Sequence, residues 1–126
     1  MTSLPPALAF LRDREMTETV VVLVTAPSAE KAAEIARALV EERLAACGNV
    51  VPGVRSIYAW EGKIHDEAEA LLVLKAPRKR LQDLCDRIVA LHPYEVPEVI
   101  GLPIEGGNER YIDWIVSTMY QRDPPR

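Results

Sequence analysis

The spacing of hydrophobic positions changes several times along this chain, and each change marks an element. Thr19 to Ala26 (TVVVLVTA) is an almost unbroken run of β-branched and apolar residues. Such a run predicts a central strand buried on both faces. Pro27 ends it. Ser28 then suits a helix N-cap, because its hydroxyl can accept one of the free N–H groups of the first turn. From Ala29 to about Cys47 the spacing becomes helical. Ala32, Ile35, Ala36, Leu39, Val40 and Ala46 form one stripe, and Glu34, Arg37, Glu41 and Glu42 occupy much of the other side. Gly48 and Asn49 are suited to stop this helix.

Val50 to Trp60 reads as a bent strand, broken early by Pro52-Gly53, with its main part at Val54 to Trp60. Glu61-Gly62-Lys63 predicts a hairpin turn. A second strand follows from about Glu67 to Lys75, with Leu71 to Leu74 as its apolar centre. Pro77 suits the first position of a helix. Leu81, Leu84, Cys85, Ile88 and Val89 then follow i, i+3, i+4, i+7, i+8 spacing. His92-Pro93 ends that helix, since the residue before proline avoids helical backbone. Pro97 to Pro103 holds the last strand. Asn108 is placed to cap a final helix from Glu109 to about Met119, with Tyr111, Ile112, Ile115 and Met119 inward.

The order strand, helix, strand, strand, helix, strand, plus one helix, predicts an α+β ferredoxin-like split β-α-β sandwich with an antiparallel sheet and an extra C-terminal helix. Right-handed crossovers put the two crossover helices on one sheet face. The other face is then apolar and open, which points to self-association; trimerisation is one way to hide it and its edges.

A length of 126 residues predicts one domain, over residues 19–119, between an N-terminal extension at 1–18, expected to be flexible, and a tail at 120–126. The regular pattern begins just after Met16, so Met16 rather than Met1 is the expected start. Leu4 to Leu11 is interrupted by Pro5 and Pro6 and followed by Arg12, Asp13 and Arg14, a poor secretory signal and too short to span a bilayer. A net charge of −4 argues against non-specific nucleic-acid binding. Arg78-Lys79-Arg80, the one dense basic patch, reads as a solvated first helical turn. Two cysteines, Cys47 and Cys85, make no disulfide framework, so the expected compartment is the reducing cytoplasm. No serine elbow, zinc-protease helix or phosphate loop is present, and no nucleophile-base pair stands out; the chain does not read as an enzyme.

Leu44-Ala45-Ala46-Cys47, Tyr58-Ala59-Trp60-Glu61-Gly62-Lys63 and His92-Pro93-Tyr94-Glu95-Val96-Pro97-Glu98 stand in an order and spacing that resembles the CutA family of divalent-cation tolerance proteins. Leu102-Pro103-Ile104 and Tyr111-Ile112-Asp113-Trp114 extend the resemblance over about Thr19 to Thr118. It implies a ferredoxin-like protomer, a homotrimer, and a link to tolerance of divalent metals, copper above all. Some members carry a cysteine where this chain has Val24, and a second histidine where it has Leu91. The family's likeness in fold to the PII signalling proteins implies an alternative: a module binding a small molecule or protein partner at grooves between subunits.

His92 is the leading metal-ligand candidate, because neutral imidazole is a common nitrogen ligand for copper and zinc. The competing reading is a histidine that caps a helix and packs beside Pro93 and Tyr94. Cys47 offers a soft thiolate for Cu(I), against the reading of a small buried residue at a helix end. Cys85 reads as core, and His65 as part of a polar loop. Tyr58, Trp60, Glu61, Tyr94 and Glu95 are the candidates for a ligand groove between subunits, against plain interface packing.

Overall fold

A computed structural model of the protein describes residues 18–120. The expectations about Met16, about most of the N-terminal extension and about residues 121–126 of the tail lie outside this range. The chain runs β1 (Thr19–Ala26), α1 (Ala29–Glu41), β2 (Cys47–Trp60), β3 (Lys63–Pro77), a 3-10 turn (Arg78–Arg80), α2 (Leu81–Leu91), β4 (Val99–Pro103) and α3 (Glu109–Ser117). The strands form one antiparallel sheet in the order β2-β3-β1-β4. This is the expected α+β split β-α-β arrangement with its additional C-terminal helix.

Alternation along β1 and β3 decides where the core sits. Val20, Val22, Val24 and Ala26 pair with Ala76, Leu74, Leu72 and Ala70, and all eight are buried on one face. Ala32, Ile35 and Leu39 of α1 and Leu84 and Ile88 of α2 close over them. Each Val, Leu or Ile fully buried there contributes about 1.5–3 kcal/mol. Ser28 caps α1 as its position suggested, accepting from the Lys31 N–H at 3.1 Å. The Asn108 side chain likewise accepts from Arg110 N–H at the start of α3. Ile115 and Met119 face inward and pack on Ala46, whereas Tyr111 is exposed.

The opposite sheet face carries Val21, Leu23, Val73, Val51, Ile100 and Leu102. Here β1 is only half-buried, so the expectation of burial on both faces holds on one face of the protomer. Ile100 is 47% exposed and Leu102 45%. Beyond the helices β2 and β3 continue as a two-stranded arm. Its tip is a tight turn with Glu61 at φ 52 and Gly62 at φ 78, the pair of left-handed residues a two-residue hairpin requires.

Several element boundaries differ from the sequence reading, β4 among them, which begins at Val99 and not at Pro97. α1 stops at Glu41, not near Cys47, because Arg43 turns to φ 58 and the N–H groups of Leu44 and Ala45 both return to Leu39 O. Cys47, Gly48 and Asn49 therefore open β2. Gly48 stops no helix; it lets β2 approach α1, where a Cβ would come within 2.9 Å of the Ala36 Cβ. β3 begins at Lys63, so His65 is a strand residue and not part of a loop. Pro77 ends β3 with extended backbone, and the basic residues 78–80 form a 3-10 turn before α2. The break at Pro52-Gly53 is a register shift between Val51 and Val54, with Gly53 at φ 80.

Candidate functional site

β3 brings the polar candidates together. Alternation back from Val73 and Leu71 places Glu69, Glu67 and His65 on the same, helix-free face. Tyr58 sits opposite His65, and their rings stack with centroids 5.0 Å apart. The Tyr58 hydroxyl donates to Glu67 Oε1. Two residues along, Glu69 is buried and its Oε2 accepts from the Tyr94 hydroxyl at 2.6 Å.

Tyr94 reaches Glu69 from the turn after α2, which His92 anchors. His92 follows α2 as its C-cap, with its N–H on Ile88 O at 2.8 Å. The residue is 7% exposed, and its ring makes two contacts with backbone. Nε2 lies 2.7 Å from Thr25 O, and Nδ1 lies 3.1 Å from the Tyr94 nitrogen. A carbonyl offers only lone pairs and a backbone N–H only its hydrogen, so Nε2 carries the proton and Nδ1 accepts. The His92 and Tyr94 rings lie 4.6 Å apart, tilted by 50°. Burial, and then the hydrogen bond to Glu69, push the Tyr94 phenol well above the usual tyrosine range. The hydrogen bond to Glu67 leads the same upward shift at the exposed Tyr58.

Other candidates lie apart from this cluster. Trp60 and Glu61 sit at the tip of the arm and Glu95 is exposed in the turn, so one protomer does not gather all five groove residues. The carboxylates that meet the tyrosines are Glu67 and Glu69, which the sequence reading placed with His65 and Asp66 in a solvated polar loop and not with the tyrosines. The signal was the alternation of β3, continued past its apolar centre.

Cys47 is half-buried, at the other end of the sheet. It pairs with Lys75, and Val21 of β1 pairs with Lys75 as well. Thr25, which holds His92, is four residues further along β1, or about 13 Å at about 3.3 Å per residue. One chain therefore does not bring Cys47 and His92 onto one ion. Among the described residues no group of three or more His, Cys, Asp or Glu side chains is placed to hold a metal. By donor type Cys47 and His92 suit copper; His92 presents a lone pair only after the Tyr94 N–H leaves Nδ1. Val24 lies wholly under the helices and Leu91 is half-buried. Cys85 is half-buried on α2, less enclosed than its place in the apolar stripe suggested.

Residues 20–118, nearly the whole described fold, match the family CutA1, described as CutA1 divalent ion tolerance protein. The chain belongs to the CutA1 family. A CutA1 relative from Thermus thermophilus, named divalent-cation tolerance protein CutA, is 54% identical over 95 residues, 75% of this chain and 92% of that protein. The chloroplastic protein CutA of Arabidopsis thaliana is 44% identical over 108 residues, 83% of this chain but 59% of that longer protein. The crystal structure of CutA1 from Oryza sativa superposes with a TM-score of 0.79 at 41% identity, covering 86% of this chain and 99% of that one. None of these three CutA names denotes a catalysed reaction. No helix among the described residues is long and apolar enough to cross a membrane.

Proposed function

We propose that the protein acts in divalent-cation tolerance as a non-catalytic homotrimer that binds copper with modest affinity, with Cys47 and His92 as ligands. The observation that carries this reading is the uncovered sheet face. Val51, Ile100 and Leu102 stand exposed beside the half-buried Val21, Leu23 and Val73, with Asn49, Lys75 and Thr25 among them, and the edge strands β2 and β4 flank this face. An apolar face of this kind is stable when it packs on copies of itself. Cys47 lies on that face, so self-association carries its thiol into the contact between copies. A soft thiolate in a partly desolvated interface suits Cu(I). His92 supplies an imidazole at the far end of the sheet. Both cysteines are free, which fits action in the reducing cytoplasm.

Native mass spectrometry of the untagged protein, titrated with Cu(II) against Zn(II) as competitor, tests the reading. A trimer mass with saturable copper adducts that diminish in Cys47→Ser and His92→Ala is the expected result. A monomer mass overturns the assembly, and unchanged copper uptake in both variants overturns the ligand assignment.

A further inference from the structure

Two neighbouring carboxylates on the helix-free face of β3 lack a cation. Glu67 and Glu69 are two positions apart on that face. Each accepts from one phenol, Glu67 Oε1 from Tyr58 and Glu69 Oε2 from Tyr94. Among the described residues nothing donates to the other oxygen of either group, and no lysine or arginine pairs with them. Arg55 is taken by Asp66 on the opposite face of the arm, and Lys75 reaches Asn49. Lys63 shares the face but stands at the tip, four positions beyond Glu67. We propose that this cluster binds a small organic ammonium, with its N–H groups on the unpartnered oxygens of Glu67 and Glu69 and its alkyl part against the Tyr58 and Tyr94 rings. Neither Cys47 nor His92 contacts such a ligand, so the site is independent of the copper reading.

Burial decides which charge the cluster wants. Glu69 is 9% exposed, and a carboxylate so enclosed calls for more than its one donor. Glu67 adds a second negative charge beside it. Burial leads the rise of the Tyr94 phenol, and Glu69 and Glu67 both add to it; at Tyr58 the hydrogen bond to Glu67 leads, and Glu69 adds. The two pairs therefore share one field, and both phenols keep their protons as donors. A metal ion is a poor match, because no third ligating side chain joins the two carboxylates. An ammonium has donors in three directions and no coordination shell to complete. Ring faces attract it further, and His65, stacked on Tyr58, adds a third ring. The place is reachable, since Glu67 is exposed and Tyr58 and Tyr94 are partly so. Glu69 pairs with Val54, where β2 resumes after its register shift, and such irregularities re-aim side chains beside binding sites.

An NMR titration of the intact protein with butylamine at about 0.15 M salt tests the site, with butanol as the uncharged counterpart. The amide signals of Tyr58, Glu67, Glu69 and Tyr94 should move saturably with butylamine and stay in place with butanol. Glu67→Gln and Glu69→Gln each keep an acceptor for the phenol and remove a charge, and each should weaken the amine about tenfold or more, the weight of a charged hydrogen bond. Glu67 is exposed, so its variant decides the matter if Glu69→Gln does not fold. Glu30→Gln, on α1 across the sheet, should leave the affinity as it was. An equal loss in Glu30→Gln would mean diffuse attraction to an acidic surface and would overturn the site, as would full affinity in Glu67→Gln. If the wild type takes up no amine and Glu67→Gln runs as a smaller species in light scattering, a lysine of a second copy supplies the ammonium and the free ligand is overturned. No uptake with an unchanged mass overturns the proposal outright.

Discussion

The Tyr94 hydroxyl donates to Glu69 Oε2 at 2.6 Å, joining the turn after α2 to β3 across 25 positions of sequence. Glu69 pairs with Val54, at the point where β2 resumes after its register shift, so the contact lies where the sheet proper gives way to the protruding arm. A buried carboxylate and a phenol hold each other there, and the His92 ring packs against the same tyrosine.

That contact predicts a stability loss in alkali. The folded-state pKa of Tyr94 is raised, by burial first and by Glu69 second, so the folded state holds its phenolic proton where the unfolded chain releases it. The resulting stability is complete below the unfolded tyrosine value of about 10 and is lost as pH rises towards the folded value. The melting temperature of the wild type should fall more steeply between about pH 9.5 and 11.5 than that of Tyr94→Phe. Parallel curves would remove Tyr94 from the account.

The open sheet face predicts the assembly's weak point. Ile100 and Leu102 pair with Leu23 and Val21 and point away from the helices. Ile100→Lys and Leu102→Lys each place a charge where other copies must pack, at a cost of several kcal/mol if desolvated unpaired. Light scattering after gel filtration should show a smaller species than the wild type. An unchanged mass in both would mean that association uses another surface.

Gly48 predicts a stability cost that its sequence neighbourhood hides. A Cβ there would meet Ala36 Cβ at 2.9 Å and Leu74 Cδ2 at 3.1 Å, and the backbone of β2 cannot retreat without loosening the sheet. Gly48→Ala should destabilise by about 1–3 kcal/mol in denaturant unfolding. Gly106→Ala, with nothing within 4 Å of the added carbon, is the matched control and should be close to neutral. Equal effects would show that loss of backbone freedom, and not packing, decides both.

Copper binding should weaken as pH falls, because a thiol and an imidazolium must each give up a proton to become ligands. A series of titrations at decreasing pH should show falling affinity in the wild type. The dependence should be shallower in Cys47→Ser, which removes one of the two protons in competition. A pH-independent affinity would point to oxygen ligands.

The positions of the core were legible because period is a local property. The run at Thr19–Ala26 and the stripe from Leu81 to Ile88 name the strand and helix that meet in the core. The Ser28 and Asn108 caps and the turn at Glu61-Gly62 rest on single residues with a preferred backbone or a spare acceptor, and they too were readable. Cys47 was misplaced because Leu44, Ala45 and Ala46 continue an apolar helical pattern. Only the return of two N–H groups to Leu39 O shows that the chain has already turned towards β2. The polar lead-in of β3 was read as loop, because a strand that extends past the helices has no core to make its face hydrophobic.

The sequence by itself determined the order of elements, the family and the residue types available for chemistry. The physical reason is that periodicity, capping and turn preference act over a few residues. Tertiary structure alone decided which of those residues meet. Sheet register put Glu69 under Tyr94 and separated Cys47 from His92, and it gave both ring nitrogens of His92 backbone partners. Such meetings depend on strand order and on where a turn lands, which no local pattern encodes.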